Sequence, residues 1–295
     1  MLVSIILVIL GFASLIFAAN WLVDGASALA KKYKISDLAI GLTIVAFGTS
    51  APELVVNIIG TMNGYSDIVV GNIIGSNNFN LFIILGISGL ILPISVQSST
   101  AWKEIPISLL VAIILIFFIN DFSFSEPSYL SRLDSLIMLV MFVMFLYYVF
   151  RQMKNDSNIQ ADYVQKSTLK IWGLILIGLS GLIIGGQLVV VNSVKIANSL
   201  GVSEKIIGLT IVAAGTSLPE LVTSIVAATK RNSDIAIGNV IGSNIFNILL
   251  ILSISGLVMP IKYNPKFNLD FYILIGGTIF LLTSMLTGQR KRLDR

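Results

Sequence analysis

Long apolar runs separated by short polar segments extend along the whole 295-residue chain. A helix needs about 17–25 predominantly apolar residues to cross a bilayer, and nine of the runs are long enough. The pattern therefore predicts an all-α polytopic membrane protein. The predicted spans are residues 2–28, 37–61, 67–92, 104–120, 133–151, 171–198, 205–229, 234–259 and 269–288.

The composition agrees with a membrane protein and narrows its chemistry. Hydrophobic residues make up 56% of the chain and charged residues only 12%, against about 25% charged residues in soluble domains. The chain has no cysteine and no histidine, which excludes disulfides and metal sites built from thiolate or imidazole groups. A bound metal would therefore be a hard cation held by oxygen atoms, such as sodium or calcium.

An internal duplication divides the chain into two halves. Residues 40–56 and 207–223 differ at only three positions, and residues 67–80 recur as 234–247 with the same offset of 167. The duplication predicts two five-helix halves. Only four spans are found in the second half, so the expected tenth helix is missing from this chain. The predicted first half, connecting loop and second half are residues 1–152, 153–170 and 171–295.

The distribution of lysine and arginine predicts the orientation of the spans. With the N-terminus outside, 14 of the 19 basic residues fall in cytoplasmic segments, as the positive-inside rule requires. The connecting loop and the basic C-terminal tail are then cytoplasmic, which explains the net charge of +4 without a nucleic-acid partner. Because the second half begins on the opposite side from the first, the repeats are inverted, which is typical of alternating-access transporters.

Each half carries one glutamate within an apolar run, Glu53 in the first and Glu220 in the second. An acid at this depth costs a few kcal/mol and by default marks an ion pathway. Pro52 and Pro219 precede the glutamates, and each proline frees a backbone carbonyl four residues earlier. One calcium ion or two sodium ions would neutralise the two carboxylates. Without a cation, one carboxylate should take up a proton, and this behaviour suits an exchanger better than a simple pore.

Hydroxyl and amide side chains recur four residues apart near these glutamates. Glycines in the same segments form a helix face almost without side chains, which permits close helix packing. Residues four apart share one face of a continuous helix. The sequence therefore predicts a central cluster of four broken or closely packed helices lined with oxygen atoms. The predicted pairs are Thr49 with Glu53, Thr216 with Glu220, Ser76 with Asn80, and Ser243 with Asn247.

The motifs GTSAPE with GSNNFN, and GTSLPE with GSNIFN, resemble the two alpha-repeats of the cation/calcium antiporter superfamily, in particular sodium/calcium exchangers. The resemblance implies a ten-helix fold in which the first and sixth helices slide against the rest. It implies calcium ligands from Glu53 and Glu220 and from backbone oxygens of Thr49 and Thr216. Sodium would be bound by Ala46, Ser50, Ser76, Ala213, Ser217 and Ser243 together with the threonines, and Asn80 and Asn247 would face the centre.

Departures within the motifs favour one branch of this family. Potassium-dependent members typically carry aspartate where this chain has Asn247, and proton-coupled members usually lack GTSxPE. The short connecting loop resembles a compact prokaryotic form. The resemblance therefore implies an electrogenic, potassium-independent antiporter that exchanges Na⁺ for Ca²⁺ in the cell membrane. We expect no cofactor and no obligatory protein partner beyond the lipid bilayer.

Three alternatives to this function remain open. A Ca²⁺/H⁺ antiporter or a potassium-dependent Na⁺/Ca²⁺ exchanger would keep the same fold, and a cation channel is a more distant possibility. An enzyme is disfavoured because the usual nucleophile–base pairs need histidine or cysteine. Among the remaining charges, Asp24 is a weaker functional candidate and has Val191 as its counterpart, whereas Lys103 and Glu104 are predicted at the membrane interface.

Overall fold

The computed structural model describes residues 1–91, 94–95, 100–119, 128–155, 167–201, 213–286 and 292–293. Helices dominate these residues, and seven are long and apolar enough to cross a membrane, with a bent pair forming an eighth candidate span. The chain is therefore an integral membrane protein. The helices are α1 Leu2–Tyr33, α2 Asp37–Thr49, α3 Ala51–Met62, α4 Ser66–Ile91, α5 Ile105–Ile119, α6 Arg132–Asn155, α7 Thr168–Ser199, α8 Ala213–Thr216, α9 Leu218–Thr229, α10 Ser233–Val258 and α11 Asn268–Leu286.

The predicted spans coincide with these helices except at their ends and within spans 37–61 and 205–229, each of which is divided by a helix break. The first helix continues to Tyr33, five residues beyond the predicted end, and Lys34 then adopts a left-handed conformation (φ 56°, ψ 42°). The Lys34 N–H donates to the carbonyls of Ala30 and Lys31, so that the free carbonyls of the last turn are satisfied. The first part of the seventh predicted span, residues 205–212, lies outside the described residues.

Several helices contain π-helical turns that no hydropathy pattern predicts. They cover Gly41–Val45 in α2, Phe79–Ile84 in α4 and Asn247–Leu252 in α10, and a fourth, Thr100–Glu104, precedes α5. The turns in α4 and α10 occupy equivalent places in the two halves. Such turns are frequent at functional sites, and two of them begin at or beside Asn80 and Asn247.

Helices α1 and α7 pack against each other along most of their length. Small residues permit this close approach: a Cβ on Gly178 would lie 2.8 Å from the Leu22 backbone nitrogen. The Ser14 hydroxyl donates to the Gly181 carbonyl at 3.0 Å, and these two residues are counterparts in the duplication. The two longest helices therefore form one tightly packed pair.

Helix α10 is the most deeply buried of the described spans. Its glycines lie directly on α2: a Cβ on Gly238 would lie 2.8 Å from the Leu38 carbonyl oxygen, and one on Gly242 would lie 2.8 Å from the Ala46 Cβ. This arrangement agrees with the predicted glycine stripe on α10. It brings the GTSAPE motif of the first half against the GSNIFN motif of the second.

Short strands close two of the connections outside the helices. Strand β1 (Ile94–Ser95) pairs antiparallel with β4 (Arg292–Leu293), and β2 (Tyr129–Leu130) pairs antiparallel with β3 (Ile261–Lys262). Each strand has only two residues, so the all-α class predicted from the sequence is confirmed.

The structure corrects the predicted environment of Glu104. The sequence places this acid at the membrane interface, but its side chain is fully buried. The hydroxyl of Tyr148 in α6 donates to Glu104 Oε1 at 2.5 Å. A tyrosine from another helix thus donates to one oxygen of an acid whose position at a span end indicated exposure.

Candidate functional site

Each glutamate follows a break in its helix. Between α2 and α3 the axis bends by 47°, and Ser50 at the break has φ −81° and ψ 6°. Pro52 lies just beyond the break and cannot donate a hydrogen bond back to the preceding turn. The prediction that Thr49 and Glu53 share one continuous helical face is therefore wrong. In the second half, Ser217 separates α8 from α9 with nearly the same backbone angles.

The two breaks allow the glutamates to be hydrogen-bonded across the halves. The hydroxyl of Ser50 donates to Glu220 Oε1 at 2.8 Å, and that of Ser217 donates to Glu53 Oε1 at 3.1 Å. Each serine lies three residues before the glutamate of its own motif but contacts the glutamate of the other. Both glutamates are 1% exposed. The crossed contacts therefore bring the two acids to one buried centre.

The serines of the second motif extend this centre in the same reciprocal way. The Ser50 and Ser243 hydroxyl oxygens lie 3.0 Å apart, and those of Ser217 and Ser76 lie 3.2 Å apart. All four serines are buried. Four hydroxyl groups that were predicted as sodium ligands are thus assembled around the two carboxylates.

Two asparagines that the sequence reasoning missed hold the threonines. The Thr49 hydroxyl donates to Asn239 Oδ1 at 3.0 Å, and the Thr216 hydroxyl donates to Asn72 Oδ1 at 3.4 Å. Thr49 also interacts with Glu220, and Thr216 with Glu53. The signal that could have found these asparagines is their recurrence at the offset of 167, four residues before Ser76 and Ser243.

The predicted central asparagines pair with asparagines of the opposite half. Asn80 Nδ2 donates to Asn244 Oδ1 at 3.0 Å, and Asn247 Nδ2 donates to Asn77 Oδ1 at 2.9 Å. Asn77 and Asn244 also donate to each other's backbone carbonyls. The amide nitrogens of Asn80 and Asn247 are thereby fixed, so their carbonyl oxygens remain the available atoms.

Four buried oxygen atoms of this centre have no hydrogen-bond partner within the described part of the chain. They form two pairs of counterparts, and each pair comes from equivalent positions of the two halves. Buried polar atoms are usually satisfied, and an exception calls for an unseen water or ion. A set of carboxylate and amide oxygens suits a hard cation. The atoms are Glu53 Oε2, Glu220 Oε2, Asn80 Oδ1 and Asn247 Oδ1.

The remaining predicted residues are alanines at the ends of the broken helices. The Ala46 carbonyl accepts the Ser50 N–H at 3.0 Å and lies 3.3 Å from the Thr49 hydroxyl oxygen. Ala213 begins α8. The structure therefore places Ala46 in the turn that carries Thr49 and Ser50, and Ala213 in the corresponding turn of the second half.

Helix α7 lies across both glutamate motifs. A Cβ on Gly48 would lie 2.1 Å from Leu179 Cδ2, and one on Gly215 would lie 2.2 Å from Val190 Cγ2. A larger residue at either motif glycine would therefore displace a side chain of α7. A cavity of about 300 Å³ lies between α7 and α3, and Thr216 is among the residues that line it.

Comparisons with known proteins agree with this geometry. The family model described as sodium/calcium exchanger protein matches residues 3–151 and 170–294. A putative antiporter, CaxA of Alkalimonas amylolytica, is 37% identical over 302 residues, covering 100% of this chain and 94% of the relative. The sodium/calcium exchanger MaX1 of Methanosarcina acetivorans is 32% identical, covering 97% and 92%.

A solved structure gives the same result for the fold. The sodium–calcium exchanger NCX_Mj, soaked with Na⁺ and Sr²⁺, superposes with a TM-score of 0.86 at 30% sequence identity. The match covers 99% of this chain and 92% of that one. The architecture is thus shared along almost the whole length.

Proposed function

The chain belongs to the sodium/calcium exchanger family and is a transporter rather than an enzyme, and we propose that it exchanges Na⁺ for Ca²⁺ by alternating access. The observation that carries the proposal is the crossed pair of contacts from Ser50 to Glu220 and from Ser217 to Glu53. These contacts hold two acids from opposite halves in one buried, oxygen-lined centre.

Calcium would be bound by the unpartnered oxygens of this centre. The carboxylates of Glu53 and Glu220 supply the two negative charges that one Ca²⁺ neutralises. The amide oxygens of Asn80 and Asn247, whose nitrogens are held by neighbouring asparagines, add neutral ligands. Backbone oxygens at the two helix breaks complete a ligand set of the kind that Ca²⁺ prefers. The residues at those breaks are Thr49 and Thr216.

Sodium would occupy flanking positions built from the same carboxylates and the surrounding hydroxyls. A sodium ion on each side of the centre would neutralise the acids as one calcium ion does. The two cations would therefore compete for the same two negative charges, and this competition would couple their movements. The flanking ligands proposed for sodium are Ala46, Ser50 and Ser76 on one side, and Ala213, Ser217 and Ser243 on the other.

We further propose that exchange is electrogenic and independent of potassium, with a third sodium ion carried in addition to the two that neutralise the carboxylates. Three sodium ions per calcium ion would move one net charge, equivalent to about 2.3 kcal/mol per 100 mV. Position 247 carries a neutral amide whose nitrogen donates to Asn77, so it adds no negative charge for a further cation. This feature supports potassium independence.

With the predicted orientation, the cavity beside α7 and the packing of α1 on α9 support one state of the transport cycle. With the N-terminus outside, the α3 and α7 residues that line the cavity between these helices lie at the middle or in the outer halves of their spans. Helix α1 packs closely against α9 at the end that is cytoplasmic in this orientation, and this packing supports a closed cytoplasmic side. We therefore propose that the structure represents an outward-facing state of a protein of the prokaryotic cell membrane.

A flux assay tests the proposal and its nearest rival. Purified protein is placed in lipid vesicles loaded with sodium, potassium or choline. Radioactive calcium should be taken up only into the sodium-loaded vesicles. Uptake should increase when the vesicle interior is positive, because net positive charge leaves with three sodium ions. Equal uptake into choline-loaded and sodium-loaded vesicles would reject sodium coupling. Uptake driven by a pH gradient alone would support Ca²⁺/H⁺ exchange. The pH-gradient experiment is included because the two buried carboxylates could carry protons.

A further inference from the structure

The loop that joins α9 to α10 is hydrogen-bonded to the side of α1. Lys230 Nζ lies 2.7 Å from Asp24 Oδ1 and 3.0 Å from the backbone carbonyl oxygen of Asn20. Two residues further along the loop, Asn232 Nδ2 donates to the Ser27 hydroxyl at 3.0 Å. The loop is thus bound to α1 over about two helical turns. We call this group of residues the clasp: Asn20, Asp24, Ser27, Lys230 and Asn232.

The other end of the molecule has no equivalent of the clasp among the described residues. The counterpart of Asp24 is Val191, which cannot form an ion pair, and the counterpart of Lys230 is Asn63. Asn63 Nδ2 donates to the Ile59 carbonyl of its own helix at 2.9 Å instead of reaching α7. The cavity between α3 and α7 lies at this end, where Val191 and Gln187 line it.

We propose that the clasp, through its Asp24–Lys230 ion pair, holds the cytoplasmic end of the α1–α9 contact closed and favours the outward-open state. The proposal rests on the alternating-access movement proposed above. Helices α1 and α7 are packed tightly together, so they would move as one unit against α9 and its loop. Contacts from Lys230 to α1 must then break whenever the cytoplasmic side opens.

The expected size of the effect follows from the exposure of the pair. The Lys230 and Asp24 side chains are 28% and 49% exposed, and solvent-exposed ion pairs contribute little because water screens them. Removing the pair should therefore change the ratio of the two states by about two-fold to five-fold. A clasp of this strength would bias the cycle without trapping the protein in one state.

The absence of cysteine makes thiol labelling a clean test. Ala227→Cys places a thiol in the closed contact between α9 and α1, where Ala227 is fully buried. Gln187→Cys places one in the outer cavity. Asp24→Asn or Lys230→Met is then added separately to each of these two cysteine variants. The rate at which a charged thiol reagent labels the cysteine is measured in ion-free buffer. Both substitutions should speed labelling at position 227 and slow it at position 187, each by about two-fold to five-fold.

Lys32→Met is the matched control. Lys32 Nζ donates to the Thr168 hydroxyl at 2.7 Å, at the same end of α1 but within the α1–α7 pair. Its loss should leave both labelling rates unchanged. The charge exchange Asp24→Lys with Lys230→Asp should restore the original rates, which shows that the variants fold and that the pair itself acts.

The clasp is rejected if Asp24→Asn and Lys230→Met label at position 227 no faster than Lys32→Met. The test is independent of flux because no ion gradient is applied. If the labelling rates shift as expected while vesicles show no sodium-driven calcium uptake, the clasp stands and the proposed exchange is wrong.

Discussion

At the centre of the molecule the contacts of the glutamates with the serines of the opposite repeat are reciprocal, whereas at the ends of α1 and α7 the counterparts differ. Ser50 to Glu220 is matched by Ser217 to Glu53, but the ion pair of Lys230 with Asp24 has no match at Asn63 and Val191. A symmetric centre offers the same ligands from either side of the membrane. The unequal ends can then set which side is open.

Glu53→Gln and Glu220→Gln should have the largest effect and should act equally. Either substitution leaves one negative charge, which cannot neutralise Ca²⁺, so we expect at least about a 100-fold loss of sodium-driven calcium uptake, corresponding to about 2.7 kcal/mol. Uptake is measured in vesicles. As a control for folding, each purified variant should elute from a size-exclusion column as a single species, like the wild type. Wild-type uptake in one variant would break the equivalence of the two repeats at the centre.

Ser50→Ala and Ser217→Ala test the crossed contacts themselves. Each removes a buried hydroxyl that donates to the opposite carboxylate, and hydrogen bonds to charged groups contribute about 1.5–3 kcal/mol. We expect each variant to raise the half-saturating sodium or calcium concentration by about ten-fold or more. Ser253→Ala is the control, because Ser253 is fully buried but donates only to the Leu249 carbonyl. Unequal effects of the two site variants would contradict a reciprocal centre.

Asn247→Asp should alter ion dependence by adding a negative charge beside the glutamates. We expect calcium uptake that depends on potassium, measured by varying potassium at fixed sodium. Asn80→Asp is the paired variant, since Asn80 makes the equivalent contact in the other half. An unchanged ion profile for Asn247→Asp would remove the basis for inferring potassium independence from this position.

Asn57→Ser should give the smallest effect, on stability rather than transport. In the second half, Asn239 Nδ2 donates to Ser224 at 2.9 Å. In the first half Asn57 replaces that serine, and both Asn57 Oδ1 and Asn72 Nδ2 lack a partner among the described residues. A serine at position 57 would accept from Asn72, so we expect stabilisation by about 1 kcal/mol, measured as a higher melting temperature in detergent. Ser224→Asn should lower the melting temperature. A lower melting temperature for Asn57→Ser together with a higher one for Ser224→Asn would contradict this account.

The architecture was predictable because hydropathy and an internal offset need only the order of residues. Both identify spans and equivalent positions, and they located Glu53 and Glu220 correctly within helices. The detailed contacts were not predictable, because residues four apart share a face only in an unbroken helix. The break at Ser50 sends the hydroxyls of one motif to the glutamate of the other. The burial of Glu104 by Tyr148 likewise depends on packing between distant segments.

Equilibrium calcium binding to the purified protein tests the central claim most directly, because it needs neither a membrane potential nor a cycle. Titration calorimetry should show one Ca²⁺ bound per chain, displaced by sodium, and lost in both Glu53→Gln and Glu220→Gln. Retention of wild-type calcium affinity in either variant would show that the two carboxylates do not form one site, and would contradict the account.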